Sequence, residues 1–324
     1  VSDELDTLAR TIGVTRLARL TGLDRLGVEV VGAVRPRGHV LQVSQGKGWT
    51  LAQARRSALG EALELHAAET PDPSRLHFGP ATREALFDVG GLSTAWIEGQ
   101  RLAGGRCLVP AQAVYCPPAG RCWLGPEVVR WRSNGLGAHP RSRRAAEEHA
   151  VLELLERDAL ARVLPRGWTV ADARQRLVRA PRVIEAALHD GFEAYTFDVT
   201  PPGARVSTAG VLLFDVHDGP VPLTAGYACR RRWDDAAEAA FLEAAQSRLT
   251  EIHGAREDVL TGERDGARGL LAALRRATPA PAPRRRFDGP LAAEARGPVA
   301  VVELSRRPFV VKAVTPSLLV SELL

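Results

Sequence analysis

His149-Ala-Val-Leu-Glu153-Leu-Leu-Glu156-Arg157-Asp158-Ala159 lies inside a longer run, about Arg144 to Leu164, whose spacing predicts one helix. At about 100° per residue, Leu152, Ala145, Val163, Glu156, His149, Leu160, Glu153, Ala146 and Leu164 share one arc of about 120°. The charged residues Glu147, Glu148, Asp158 and Arg162 fall on the opposite side. Glu153 and Glu156 therefore sit in the middle of the apolar face. An ionised carboxylate there needs compensation. Two of them a helical turn apart also repel, so at least one is protonated or both face cations. A divalent metal accepts carboxylate oxygens; a buried arginine, such as Arg157, is the structural alternative, and spacing alone leaves both open.

Two further helices carry polar residues at the same i, i+4, i+7 spacing as His149, Glu153 and Glu156. One runs from about Thr50 to His66 after the glycine-flanked turn Gly46-Lys47-Gly48, with Ser57, Glu61 and Glu64 on its stripe. Its polar face also includes Gln53, Arg56 and Gly60, so periodicity alone leaves Glu61 and Glu64 in water. The other, Asp234 to Ile252, aligns Ala239, Glu243 and Gln246 beside Thr250, with Arg248 and Arg256 within or just beyond it. Arginine beside several carboxylates suits a site where magnesium and anionic oxygens meet. Three such stripes can converge on one site.

Around these helices the sequence alternates. Residues 3–20 read as a helix; Val28–Val34, Val40–Val43, Ala194–Val199, Gly210–Val216, Leu223–Ala225, Val299–Leu304 and Phe309–Val314 read as strands. Glu69 to Pro80 and Cys116 to Cys122 are rich in turn residues. A proline- and arginine-rich segment at about 277–290 is the best linker candidate, but it lies too near the end to separate two domains. The expected architecture is a single α+β (mixed α/β) domain over residues 1–324.

Composition narrows the class. The 324 residues (34.9 kDa) are 45% hydrophobic and 25% charged, as in a folded globular protein. No apolar run approaches the ~20 residues of a spanning helix, and Val1-Ser2-Asp3-Glu4 opens on acids, so no membrane and a cytoplasmic location are expected. The net charge is +5, with arginine supplying 41 of 43 cations, spread among nearly as many acids. Without an aromatic platform this gives no expectation of nucleic-acid binding. Cys107, Cys116, Cys122 and Cys229 lack metal-ligand spacing. Lys47, between two glycines ahead of a helix, stands out among the arginines, but Leu41 and Gly48 exclude a phosphate-binding loop of the Walker type.

Taken together, these segments resemble the YcaO family, ATP-dependent enzymes that modify backbone amides of ribosomally made peptides. Ser57-Ala-Leu-Gly-Glu61-Ala-Leu-Glu64 with the preceding Gly-Lys-Gly is similar to one family segment, and Ser133-Asn134-Gly135-Leu136-Gly137 to its Ser-Asn-Gly turn. Glu153-Leu-Leu-Glu156-Arg157-Asp158-Ala159 and Glu243-Ala-Ala-Gln246-Ser-Arg248, followed by Gly254-Ala-Arg256-Glu-Asp258, resemble two more. The resemblance implies a YcaO-type domain with ATP and Mg2+ between its layers. It implies magnesium on Glu61, Glu64, Glu153 and Glu156, with Ser57, Arg157, Gln246 and Arg248 completing the ATP pocket and the role of Lys47 left open. It also implies that a nucleophile adds to a peptide amide whose oxygen receives the γ-phosphoryl group, and that phosphate then leaves. A substrate Cys, Ser or Thr would give an azoline, as in the cyclodehydratases; sulfide would give a thioamide. Leu41-Gln-Val-Ser-Gln-Gly-Lys-Gly, Glu243-Ala-Ala-Gln-Ser-Arg-Leu-Thr and Phe309-Val-Val-Lys-Ala-Val-Thr-Pro316, with no proline-rich tail before Leu324, look most like members paired with a TfuA partner, which form thioamides. A precursor peptide, a TfuA-like protein and a homodimer are the implied partners. A non-catalytic scaffold that holds the precursor is the competing class.

Overall fold

The computed structural model describes residues 2–129, 135–189, 191–217, 219–254, 264–317 and 319. The chain begins with α1 (Ser2–Thr11), β1 (Arg16–Arg19), β2 (Glu29–Val34), β3 (Val43–Gly48) and α2 (Leu51–Glu69). It continues with β4 (His77–Gly79), β5 (Thr94–Arg101), β6 (Arg106–Pro110), α3 (Ala111–Val114), β7 (Leu136–His139) and α4 (Arg143–Val163). Next come α5 (Val170–Arg176), β8 (Leu177–Val178), α6 (Arg182–Ala187), β9 (Phe192–Asp198), β10 (Ser207–Asp215) and β11 (Leu223–Arg230). The last elements are α7 (Trp233–His253), α8 (Arg264–Arg275), β12 (Ala300–Arg306) and β13 (Phe309–Val314).

The strands pair antiparallel into three sheets, in the orders β1-β2-β3, β11-β10-β9-β8 and β4-β5-β12-β13-β7, with β6 on β5. This is the expected α+β class. Strands β3, β11 and β7 each lie at the edge of a sheet, so their outward N–H groups need partners.

Three long helices close the gaps between the sheets. Helix α2 packs on β3 and β2 and touches β7; α4 packs on β7 and β13 and touches β11; α7 packs on β11 and β10 and touches β3. Each helix thus bridges two sheets, and the three bridges surround a common centre. Close approach depends on one device used three times. A Cβ on Gly46 of β3 would lie 2.3 Å from the Ala54 oxygen of α2; one on Gly137 of β7, 2.1 Å from the Ala146 oxygen of α4; one on Gly226 of β11, 2.2 Å from the Ala240 oxygen of α7. Glycine on the edge strand against alanine on the helix lets backbone meet backbone. The alanine-rich faces of these helices follow from that contact: Ala54, Ala58 and Ala62, Ala146 and Ala150, and Ala236, Ala240 and Ala244 are all fully buried.

Local signals set the helix ends. Thr50 and Gln53 form a reciprocal capping box at α2, Ser142 accepts the Ala145 N–H at α4, and Gly254 ends α7 at φ +63°. The helix expected over residues 3–20 stops at Thr11. Gly13 adopts φ +78°, and Arg16–Arg19 pairs with Val31–Val34 of β2. The expected turn Gly46-Lys47-Gly48 is the end of β3, paired with Glu29–Val31 of β2, so the strand placed at Val40–Val43 begins only at Val43. The proline-rich stretch is extended, as its composition predicts, but anchored: Ala280 pairs with Leu177 and Arg179, the Arg285 carbonyl accepts the Trp233 N–H, and Phe287 is buried. The β5–β6 hairpin turns at Gly104 and Gly105, both at positive φ. Ser133, Asn134 and Ala255–Asp258 lie outside the described residues. Among the described residues no helix is long and apolar enough to cross a membrane.

Candidate functional site

At the centre of the three helices, each acidic side chain caps an edge strand. Glu61 Oε2 accepts the Gln45 N–H of β3 at 2.7 Å, Glu153 Oε2 the Leu136 N–H of β7 at 3.3 Å, and Glu156 Oε2 the Cys229 N–H of β11 at 3.1 Å. Glu64 accepts from the Ala138 N–H of β7 and Glu243 from the Tyr227 N–H of β11. Five helix glutamates thus satisfy sheet edges that would otherwise be orphaned. Each keeps acceptor capacity beyond that bond, because an ionised carboxylate has about four lone-pair sites.

The cleft deepens along α4: His149 is exposed, the Glu153 side chain keeps 24% of its surface, and that of Glu156 only 7%. Burial pushes the Glu153 carboxyl up to about 7 despite Arg157 and Lys312. It pushes Glu156 up to about 8 despite Arg157, with Glu243 and Glu153 adding repulsion. Burial, then Glu153 and Glu61, raise Glu64 well above the ordinary range. Glu243 goes the other way: burial opposes it, but Lys47, 3.1 Å from its Oε2, and Arg157 hold it below. The surrounding protein, then Arg230 and Lys47, lower the His149 imidazole to about 4. Arg157 lies 3.7 Å from Glu153 and 4.0 Å from Glu156, too far for strong hydrogen bonds, and its Nε is buried without a partner.

Gln45 of β3 ties α2 to α7. Its N–H reaches Glu61, its carbonyl accepts from Gln246 Nε2 at 3.3 Å, and its Oε1 accepts from Thr250 at 2.6 Å. Gln45 Nε2 and Gln246 Oε1 remain buried with no partner. Ser57 is half-buried, one turn before Glu61 on the same stripe.

Glu61, Glu64, Glu153, Glu156, Arg157, Ser57 and Gln246 are therefore placed around one centre. Arg248 is not. Its guanidinium is 2% exposed and committed elsewhere: Nε to Asp24 at 2.9 Å, one terminal nitrogen to Asp215 at 2.8 Å, and the other to the Val221 carbonyl. Two residues beyond Gln246 on α7, it points to the opposite side and stacks over Phe192. The sequence reading also left out three groups the fold brings in. Glu243 appears in the sequence only as part of a stripe, Lys47 only as an unusual cation between glycines, and Lys312 only as the chain's other lysine. The four cysteines are free, with Cys107 and Cys229 buried.

The donor set fits magnesium and a polyphosphate. Burial exceeds the compensation available to Glu64, Glu153 and Glu156, and the unpartnered Arg157 Nε and Gln246 Oε1 are further unmet polar groups. Among the described residues no three acidic, imidazole or thiol groups already converge as a metal cage. Magnesium does not require one, since it is usually held by one or two carboxylates, waters and substrate phosphates.

Comparison with known proteins gives the fold first. A YcaO from Methanopyrus kandleri, solved bound with AMPPCP and Mg2+, superposes with a TM-score of 0.70 at 22% identity, covering 96% of this chain and 88% of that one. The family follows from the sequence. The model described as YcaO cyclodehydratase, ATP- and Mg2+-binding, matches residues 84–300, and the chain belongs to the YcaO family. An uncharacterized protein of Methanothermobacter thermautotrophicus is 33% identical over 283 residues, 78% of this chain and 70% of that protein. A Rhizobium leguminosarum bv. trifolii protein described by its position in the tfuA 3' region is 30% identical over 283 residues, 77% of this chain and 65% of its own length. The chain is thus a member of an ATP-dependent, magnesium-using enzyme family. Helix α2, with Ser57, Glu61 and Glu64, lies outside the matched range.

Proposed function

We propose that this chain activates a backbone amide of a ribosomally made peptide at the expense of ATP and directs it to thioamide formation with a TfuA-like partner. The observation that carries the reading is the meeting of Glu64 from α2 with Glu153 and Glu156 from α4, all buried beyond what their neighbouring cations offset. In this reading Glu61, Glu64, Glu153 and Glu156 hold magnesium, and Ser57, Arg157 and Gln246 face the nucleotide. Bound there, Mg-ATP supplies a phosphoryl group that turns a poor leaving oxygen into phosphate.

The chain's own residues do the positioning. The strand N–H groups fix the carboxylates from behind, so the opposing helices present them already oriented. Arg157 holds positive charge beside three glutamates against the cost of burial, which suits it to charge on transferring oxygens. His149 is held neutral at the mouth, beside Arg230 and Lys47. Reactions of this type need no protein nucleophile. The burial of Cys229 and Cys107, whose thiols desolvation raises, agrees with that.

The tfuA-region relative and the segments quoted above support sulfide as the nucleophile. The family model's description as a cyclodehydratase supports the alternative, azoline formation from a substrate Cys, Ser or Thr. Reconstitution with a TfuA-like protein, a sulfide source and a precursor peptide separates them by mass spectrometry. Sulfur in place of oxygen supports the first; loss of water alone supports the second. No ATP binding, together with modification unaffected by Glu153→Ala or Glu156→Ala, would instead make the chain a scaffold.

A further inference from the structure

Lysine is scarce in this chain, and the fold brings both copies to the carboxylate cleft. Lys47 reaches Glu243 on one side. Lys312 enters from another. It lies on β13 directly opposite Leu136 of β7, the residue whose N–H bonds Glu153. Its neighbours show which way it points. Val311 and Ala313 pack with Ala146 and Ala150 of α4, whereas Val310 packs with Ala58 and Leu59 of α2. Side chains alternate along a strand, so Lys312 is on the α2 side, where the Ala138 N–H meets Glu64. The residue is only 6% exposed. Its charge acts on Glu64 and on Glu153, carboxylates from two different helices.

From this placement we propose that Lys312 is the site's resident cation, shared by Glu64 and Glu153 in the metal-free protein and released to the nucleotide's phosphates when magnesium takes those carboxylates. The inference rests on the reading of Glu61, Glu64, Glu153 and Glu156 as magnesium ligands. The choice of lysine follows from the task. An ammonium is a compact point charge on a flexible stem with three rotatable donors, able to exchange a carboxylate for a phosphate. A guanidinium fork would stay bidentate on the acid. In a chain that meets nearly every other need for positive charge with arginine, that difference gives a reason for the exception.

The two roles give effects of opposite sign, which a merely structural residue would not. Isothermal titration of the full chain at pH 9 measures them separately. For magnesium chloride alone, Lys312→Met should bind about tenfold tighter, because a competing cation has gone. For ATP at saturating magnesium it should bind about tenfold weaker, because a phosphate partner has gone. Lys312→Arg, which keeps the charge but stays forked on the acids, should hold magnesium no tighter than the wild type and recover little of the ATP binding. Both affinities falling together in Lys312→Met, or neither moving, overturns the proposal. Should Lys312→Met not fold, Lys312→Arg decides: ATP bound at saturating magnesium as tightly as by the wild type, or magnesium held tighter than by the wild type, overturns it. Glu153→Gln serves as the control. If it leaves magnesium binding unchanged, the ligand assignment itself fails. If it abolishes binding while Lys312→Met changes nothing, only the role of Lys312 falls.

Discussion

Replacing Glu153 by glutamine should stabilise the metal-free protein at pH 9 and leave it nearly unchanged at pH 5. Burial raises this carboxyl from its ordinary 4.5 to about 7, in spite of Arg157 and Lys312. An acid whose pKa rises on folding holds its proton more tightly in the native state. Its neutral form therefore favours the fold, and stability is lost as pH climbs from the ordinary carboxylate value to about 7, then stays lost above it. At about 1.4 kcal/mol per unit the full difference is about 3 kcal/mol. The side chain keeps 24% of its surface in water, and screening there reduces the expected gain to about 1–2 kcal/mol. Glutamine resembles the protonated acid, and its Oε1 can still accept the Leu136 N–H. Urea unfolding in EDTA at both pH values reads the difference between variant and wild type. A difference that does not change with pH, or a variant less stable at pH 9 than at pH 5 relative to wild type, would refute the reasoning.

Mg-ATP should raise the melting temperature of the wild type by mass action. Glu156→Gln should lose that shift while the metal-free protein is no less stable, since a buried and under-compensated charge has been removed while the amide oxygen can still accept the Cys229 N–H; an unchanged shift counts against Glu156 as a ligand. Arg248→Met should cost about 3–5 kcal/mol, because Asp24 and Asp215 lose a buried partner, yet the folded fraction should bind ATP as the wild type does; a specific loss of affinity would return Arg248 to the nucleotide pocket. Gly226→Ala should destabilise by about 1–3 kcal/mol or more, because its Cβ would stand 2.2 Å from the Ala240 oxygen; near-wild-type stability in urea unfolding would contradict the close-packed helix–strand contact.

The sequence made the three long helices legible because each has a strong internal period, and their ends fell within a few residues of those observed. The acids on α4 were readable as misplaced, since Glu153 and Glu156 interrupt an otherwise apolar arc. Those on α2 were not, because Glu61 and Glu64 sit on a polar face. What takes them out of bulk water is two strand edges lying across that face, β3 at Gln45 for Glu61 and β7 at Ala138 for Glu64, tertiary contacts that periodicity does not record. Arg248 misled for the complementary reason. It is near Gln246 in sequence, yet its partners Asp24 and Asp215 come from distant segments. The helix expected over residues 3–20 failed where strand pairing with β2 overrode local propensity after Gly13. Lys312 carried a usable signal in its rarity, but its position opposite Leu136 emerges only from the pairing of β13 with β7.

The central claim is that the glutamates capping β3, β7 and β11 from α2 and α4 form one magnesium and nucleotide site. A crystal structure of the protein with Mg2+ and a non-hydrolysable ATP analogue tests it most directly. The account predicts metal density among Glu61, Glu64, Glu153 and Glu156, with the triphosphate beside Arg157 and Gln246. A triphosphate bound elsewhere, with those acids paired only to guanidinium groups, would contradict it.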